Sequence, residues 1–107
     1  MYGVFAEKGM VTPPVLPDRE HVYHLYAIRH PRRNELASHL LEAGIQTVVN
    51  YPVALPFLPA YSHLGHRPEE FPNAYRNQAQ VLSLPLFAEM KPGQQKTVVD
   101  AISSFRP

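Results

Sequence analysis

The clearest hydrophobic pattern is a stretch of β-branched and aromatic residues from His21 to Arg29. Such residues favour strands, and side chains alternate between the two faces of a strand. One predicted face carries Val22, His24, Tyr26 and Ile28, and the other carries Tyr23, Leu25 and Ala27. Because both faces are largely apolar, the strand is predicted to be covered on both sides, by helices or by another domain.

A helix is predicted directly after this strand, from Pro31 to about Ala43. Pro31 fits the first turn of a helix, and apolar residues then recur at spacings of three and four, which indicates one buried face. These residues are Leu36, Ala37, Leu40 and Leu41. Gly44 is the predicted left-handed cap, after which Ile45 can fold back on Leu40.

A second short strand is predicted at Gln46–Val49, and a proline-rich loop follows it. Residues that precede proline are pushed toward extended conformations, so the loop is not a regular helix. A stiff loop at a strand end is a plausible place for binding groups, and the candidates here are Asn50, Tyr51 and Tyr61. The simpler alternative is that the loop only turns a corner.

Two helices are predicted in the C-terminal half, beginning at Pro72 and Pro92. A short helical turn at Pro59–Leu64, ended by Gly65, precedes them. Between them, Val81–Leu84 either ends the first helix or forms a third strand. The last helix carries a clear apolar stripe, made of Val98, Val99, Ile102 and Phe105, with Gln95 at the same helical spacing.

These elements predict an α+β fold, with a small, mostly antiparallel sheet and helices packed mainly on one face. Met1–Met10 has no clear period and contains two glycines, so a regular helix is not expected there. Residues 1–20 are therefore predicted to be an irregular lead-in, and residues 21–107 the folded domain.

Size and charge narrow the possible functions. A chain of 107 residues is long enough for one domain with its own core, and without cysteine it has no disulfides or thiolate metal ligands. The formal charge of +1 argues against a partner bound mainly by charge, such as nucleic acid or an anionic membrane. No apolar run approaches a membrane span, and the N-terminus lacks a signal-peptide layout, so a cytoplasmic protein is predicted.

The residues alone identify no metal or catalytic site. His21 and His24 are predicted to point to opposite faces, and His63 with His66 lacks the usual set of three or four ligands. The serines lack the flanking pattern of a nucleophile elbow. The three lysines, at positions 8, 91 and 96, lie at an irregular end or an exposed helix start, not in a desolvated pocket. The basic stretch at residues 29–33 could meet a phosphate, but a solvated helix start is the simpler interpretation.

Five segments occur in an order and spacing that point to one family. They are His21–Arg29, Gly44–Thr47, Asn50–Pro52 with Pro59–Tyr61, Phe71–Pro72, and Leu82–Phe87. In this order they resemble the C-terminal part of the DegT/DnrJ/EryC1/StrS family of sugar aminotransferases, from about Val11 to Phe105. The resemblance implies a fold-type-I, pyridoxal-phosphate-dependent enzyme that aminates a keto group on a nucleotide-linked sugar, usually with glutamate as donor.

The resemblance also implies a division of labour between domains. Members of this family are homodimers whose large domain holds the cofactor and the Schiff-base lysine. This chain would be the small C-terminal domain, inactive and without cofactor on its own, and its partner would be the missing large domain. The alternative hypothesis is a free-standing, non-catalytic binding or dimerisation module derived from that domain.

Two site residues carry over from the family pattern. The usual His-Tyr-Pro at the end of the second strand is Asn50-Tyr51-Pro52 here, so Asn50 and Tyr51 are the predicted substrate-binding residues. Asparagine retains hydrogen bonding but cannot transfer a proton near neutral pH, so Asn50 is expected to position a substrate group. A frequent histidine and glutamine of the loop are Pro56 and Leu58, which resembles a subgroup linked to 3-amino deoxysugars of surface polysaccharides. The simpler alternative is that Asn50 only caps the loop.

Overall fold

The computed structural model describes residues 2–106. Its two strands form an antiparallel pair, and three α-helices and several 3₁₀-helices surround it. The strands are β1 (Tyr26–Arg29) and β2 (Val81–Leu84), and the α-helices are α1 (Arg33–Glu42), α2 (Pro72–Gln80) and α3 (Pro92–Ser104). The 3₁₀-helices are Tyr2–Lys8, Leu55–Phe57, Pro59–Leu64 and Pro68–Glu70.

A single bridged residue extends the strand pair at each edge. Val11 and Arg29 exchange two backbone hydrogen bonds of 2.9 Å, and Val48 and Ser83 exchange bonds of 3.1 and 2.7 Å. All of these pairings are antiparallel. The order across the sheet is therefore Val11, β1, β2, Val48, which confirms the predicted small antiparallel sheet.

One face of the sheet forms the core together with α1, α3 and the N-terminal 3₁₀-helix. Alternate strand residues point to this face, as the pleat requires. The buried cluster includes Tyr26, Ile28, Leu82 and Leu84 from the strands, Leu36 and Leu40 from α1, and Val98 and Ile102 from α3. This arrangement confirms that the helices pack mainly on one face, and we call this side of the sheet the core face.

The strand predicted at His21–Arg29 is shorter than expected, since only Tyr26–Arg29 pairs. The backbone of Tyr23 has a positive φ of 50° and its N–H donates to Nδ1 of His21, so a local turn replaces the strand there. The predicted faces hold within the paired residues, where Tyr26 and Ile28 face the core and Ala27 faces away from it. They are wrong before these residues: Val22 is 93% exposed, whereas Tyr23 packs against the core.

The second predicted strand, Gln46–Val49, was also too long, because it is reduced to the single bridge at Val48. Ile45, directly before it, is held by the cap of α1, and the chain leaves the sheet at Asn50. The ambiguity at Val81–Leu84 is resolved in favour of a strand, which follows α2 without an intervening loop.

The predicted end of α1 is confirmed in detail. Gly44 has a φ of 77°, its N–H donates to the carbonyl of Leu41, and the Ile45 N–H donates to the carbonyl of Leu40. These two bonds form a Schellman motif, which satisfies carbonyls at the helix end. Leu41 was wrongly assigned to the buried face: it is 62% exposed, because only the row through Leu36 and Leu40 meets the core.

The N-terminal segment takes a larger part in the fold than its sequence indicates. Tyr2–Lys8 is a 3₁₀-helix, although no regular helix was expected there. Phe5 and Met10 are buried in the core, and Val11 pairs with β1. Large apolar residues without a helical or strand period can still fill a core, which is why the pattern did not predict this. The domain boundary at residue 20 stays a prediction.

Candidate functional site

The opposite face of the sheet borders an open cleft of about 800 Å³. Ala27 and Arg29 of β1 line it, because they alternate with the core residues Tyr26 and Ile28. The extended segment 11–14 and helix α2 contribute further walls. We call this side of the sheet the cleft face; most of its lining is aliphatic or proline.

The structure brings Asn50 and Tyr51 together in the lining of this cleft. They follow the Val48 bridge at the sheet edge, and the peptide bond between them is cis. Tyr51 is 73% exposed, so its ring is free to meet a large ligand or another domain. Tyr61, the third candidate of the loop, is not among the residues that line the cleft.

Two buried polar atoms on this side of the sheet have no internal partner. Oδ1 of Asn50 and Oγ of Ser83 are both buried, and neither has a hydrogen-bond partner among residues 2–106. Ser83 lies on the cleft face because it is two residues from Val81, which lines the cleft. Buried polar atoms are almost always paired in folded proteins, so these two atoms are expected to be paired by an ordered water, a ligand or another chain.

Helix α2 places two consecutive amide side chains at the cleft. Nη1 of Arg29 donates to Oδ1 of Asn77 at 3.0 Å, and the backbone N–H of Ala54 donates to Oε1 of Gln78 at 2.8 Å. Sequence reasoning missed these two amides. Their signal was the spacing of three and four from Ala74, which also lines the cleft, but the sequence does not show which face of α2 meets the sheet.

The basic stretch at residues 29–33 does not form one anion site. Arg32 pairs with Glu35, and Arg33 donates to the carbonyl of Val81 at 2.8 Å. Arg29 is directed to the cleft, whereas the ring of His30 is buried and contacts the backbone of Lys8 and Arg32. The guanidinium groups are thus committed to different intramolecular partners.

The histidines and the apolar segments have ordinary structural roles in the described part of the chain. No group of three or more histidine, aspartate or glutamate side chains there is arranged to hold a metal ion. The ring of His66 instead packs edge-on against Phe71, with centroids 5.0 Å apart. None of the helices between residues 2 and 106 has the length and apolar character needed to span a bilayer.

Comparison with known proteins identifies the fold and its family. A sequence profile described as the DegT/DnrJ/EryC1/StrS aminotransferase family matches residues 4–103. The chain belongs to this family. The structure of S. venezuelae DesV in complex with a ketimine intermediate superposes with a TM-score of 0.85 at 35% identity, over 92% of this chain and 28% of that one.

Curated relatives in this family are similar over most of this chain. It is 39% identical over 105 residues to the dTDP-3-amino-3,4,6-trideoxy-alpha-D-glucose transaminase of Streptomyces venezuelae, covering 96% of this chain and 27% of the relative. It is 43% identical over 96 residues to the pleiotropic regulatory protein of Geobacillus stearothermophilus, covering 90% and 26%. The chain thus spans about a quarter of the length of these relatives.

Membership of this aminotransferase family implies pyridoxal phosphate as the cofactor. The described residues of this chain do not form a complete site for it. The cofactor is held as an imine by a lysine in a tuned pocket, but no lysine is among the described residues that line the cleft. Nζ of Lys8 contacts the carbonyl of Phe105 at 3.4 Å, and Nζ of Lys96 pairs with Asp100 at 2.6 Å. Lys91 precedes the first turn of α3. None of these three lysines lines the cleft.

Proposed function

We propose that this chain is the small C-terminal domain of a pyridoxal-phosphate-dependent aminotransferase that aminates a keto-sugar nucleotide in deoxyamino-sugar biosynthesis. On its own it carries no activity. It closes over an active site whose cofactor and lysine belong to a large domain, in a homodimeric cytoplasmic enzyme. The observation that carries this proposal is the family match together with the coverage: nearly all of this chain corresponds to about a quarter of its relatives.

In this proposal the cleft face is the side that meets the rest of the enzyme and its substrate. Asn50 and Tyr51 bind substrate, and Oδ1 of Asn50 accepts a hydrogen bond from a hydroxyl or amine of the sugar nucleotide. The support is the buried, unpaired acceptor at the edge of an open cleft. Because a neutral amide cannot exchange protons near pH 7, Asn50 orients the substrate and takes no part in proton transfer.

The 3-amino class of sugar is the proposed product. The S. venezuelae relative, which is 39% identical, is named for a dTDP-linked 3-amino-3,4,6-trideoxy sugar. The substrate proposed for the present chain is therefore a dTDP-linked deoxysugar with its keto group at ring carbon 3.

Restoring the large domain tests this proposal. Residues 4–103 would replace the matching segment of the S. venezuelae transaminase, and the fusion would be given glutamate, pyridoxal phosphate and a dTDP-linked 3-keto deoxysugar. We expect the dTDP-amino sugar to appear in mass spectra. The unmodified transaminase is the control. A well-folded fusion that forms no amino sugar with several keto-sugar nucleotides, while the control does, would contradict the proposal.

A second test uses the chain alone. After incubation with pyridoxal phosphate and reduction with borohydride, we expect scattered or no labelling of Lys8, Lys91 and Lys96. Stoichiometric labelling of one of these lysines, mapped by mass spectrometry, would mean that the chain carries its own cofactor lysine. The assignment of the cofactor lysine to a separate large domain would then be wrong.

A further inference from the structure

The position of the substrate-binding loop depends on how its ends are fixed. Asn50 and Tyr51 lie between the Val48 bridge at the sheet edge and the 3₁₀-helix that begins at Leu55. Pro52, which follows Tyr51, restricts the backbone between the Val48 bridge and Leu55. A short, stiff segment held at both ends has little freedom, so the contact at its far end determines where its side chains lie.

That far contact is the hydrogen bond between the Ala54 N–H and Oε1 of Gln78, at 2.8 Å. This bond joins the loop residues 49–54 to helix α2. Gln78 is half-buried, and both partners line the cleft. The bond is therefore partly shielded from competing water.

Helix α2 is a rigid base for this bond. The carbonyl of Gln80 accepts the His30 N–H at 3.0 Å, and Asn77, next to Gln78, accepts from Arg29 at 3.0 Å. The helix also continues directly into β2. The C-terminal half of α2 is thus fixed by one hydrogen bond to β1, by one to His30 directly after β1, and to β2 by the chain itself.

A second contact between α2 and the loop lies on the same side of the helix. The rings of Tyr75 and Phe57 meet edge-on, with centroids 5.5 Å apart. Tyr75 and Gln78 are three residues apart, which places them on neighbouring positions of one helix face. One face of α2 therefore contacts the loop twice, through the Tyr75 ring at Phe57 and through Gln78 at Ala54.

We infer that Gln78 is a positioning residue: by holding the Ala54 N–H, it sets the loop that presents Asn50 and Tyr51 to the cleft. This role of Gln78 rests on the proposed function where it is tested by enzyme kinetics. The structural test, made on the chain alone, does not depend on that function. Gln78 itself need not touch substrate, since it acts through the backbone of Ala54.

The structural test uses the full 107-residue chain. Gln78→Met keeps the approximate size of the side chain and removes the acceptor, and Gln78→Glu restores an acceptor oxygen. We expect amide exchange at Ala54 to be about two- to tenfold faster in Gln78→Met, the range that corresponds to one ordinary hydrogen bond. In Gln78→Glu, exchange returns toward the original rate, and the Ala54 amide shift follows protonation of the new carboxyl group. Unchanged exchange in Gln78→Met, or no such shift, overturns the inference.

The kinetic test uses the complete enzyme that carries this domain. Gln78→Met is expected to raise KM for the keto-sugar nucleotide by about two- to tenfold with little change in kcat, and Gln78→Glu to restore KM. Gln80→Met is the matched control, because Gln80 accepts the His30 N–H through its backbone carbonyl, which the substitution keeps. An unchanged KM in Gln78→Met overturns the positioning role. If Asn50→Ala is equally without effect, the proposed substrate site fails with it; if Asn50→Ala raises KM, only the role of Gln78 fails.

Discussion

The two faces of the sheet differ in their polar groups and in how fully these are hydrogen-bonded within the chain. On the core face, alternate residues of both strands are buried against α1 and α3 in a hydrophobic cluster, and the buried ring of His30 packs edge-on against its member Phe105. On the cleft face, the strands border an open volume, Arg29 reaches a helix amide, and the buried Oγ of Ser83 has no partner within the described residues. The core face accounts for folding, whereas the cleft face is the one on which the substrate site is proposed.

This difference agrees with the proposed function, in which one face stabilises the small domain and the other contacts the substrate. Apolar burial contributes most of the stability of a domain of this size, so the face that carries it is not available for binding. The polar groups proposed for recognition lie on the other face, on a loop and on helix α2. Substitutions on the two faces should therefore separate stability from substrate use.

The largest effect is expected on the core face. Leu36→Ala removes a fully buried side chain from α1 and should lower the free energy of unfolding by about 2–5 kcal/mol, because it leaves a cavity. Leu41→Ala on the same helix is the control, and its effect should stay within about 0.5 kcal/mol since Leu41 is exposed. Urea unfolding of both variants measures the difference. Equal losses would mean that the assignment of the buried face of α1 is wrong.

A backbone substitution should have an intermediate effect. Gly44 has a φ of 77°, a region that costs a residue with a side chain about 1–2 kcal/mol. Gly44→Ala should therefore destabilise the chain by about that amount, measured by thermal or urea unfolding. The control is Gly93→Ala in the first turn of α3, where a Cβ meets open space and the effect should be neutral or stabilising by up to about 1 kcal/mol. A neutral Gly44→Ala would show that the left-handed cap is not needed to end α1.

A small effect of unusual sign is expected at Ser83 on the cleft face. Its buried hydroxyl lacks a partner in the described chain, so Ser83→Ala should not reduce the free energy of unfolding and should raise it by up to about 1 kcal/mol. Leu84→Ala, on the core face of the same strand, should lose about 2–5 kcal/mol. A loss above about 1 kcal/mol in Ser83→Ala would mean that the hydroxyl is satisfied within the chain in solution.

Local signals in the sequence were enough to predict the three α-helices, although α1 begins at Arg33 and not at Pro31. Pro72 and Pro92 begin α2 and α3, and Gly44 ends α1, because proline and glycine act on the backbone within one turn. Strand bounds depend on pairing with distant residues. The predicted strand at His21–Arg29 and the one at Gln46–Val49 were therefore both too long.

The candidate site was predicted only in the part that lies on the loop. The motif resemblance indicated Asn50 and Tyr51, and both line the cleft. It did not indicate Asn77 and Gln78, because their role depends on which face of α2 meets the sheet, and tertiary packing decides this. Phe5 and Met10 were missed for the same reason: they enter the core from a segment without a period.

The most direct test of the account is Asn50→Ala in the complete aminotransferase, with KM for the keto-sugar nucleotide and thermal unfolding measured on the same preparation. Asn73→Ala is the matched control, since Asn73 is exposed and contacts Arg76 on the surface of α2. We predict that Asn50→Ala raises KM by about two- to tenfold, the loss of one hydrogen bond, while the unfolding temperature stays close to that of the control. An unchanged KM, or a loss of stability without any change in KM, would contradict the claim that the cleft face serves the substrate.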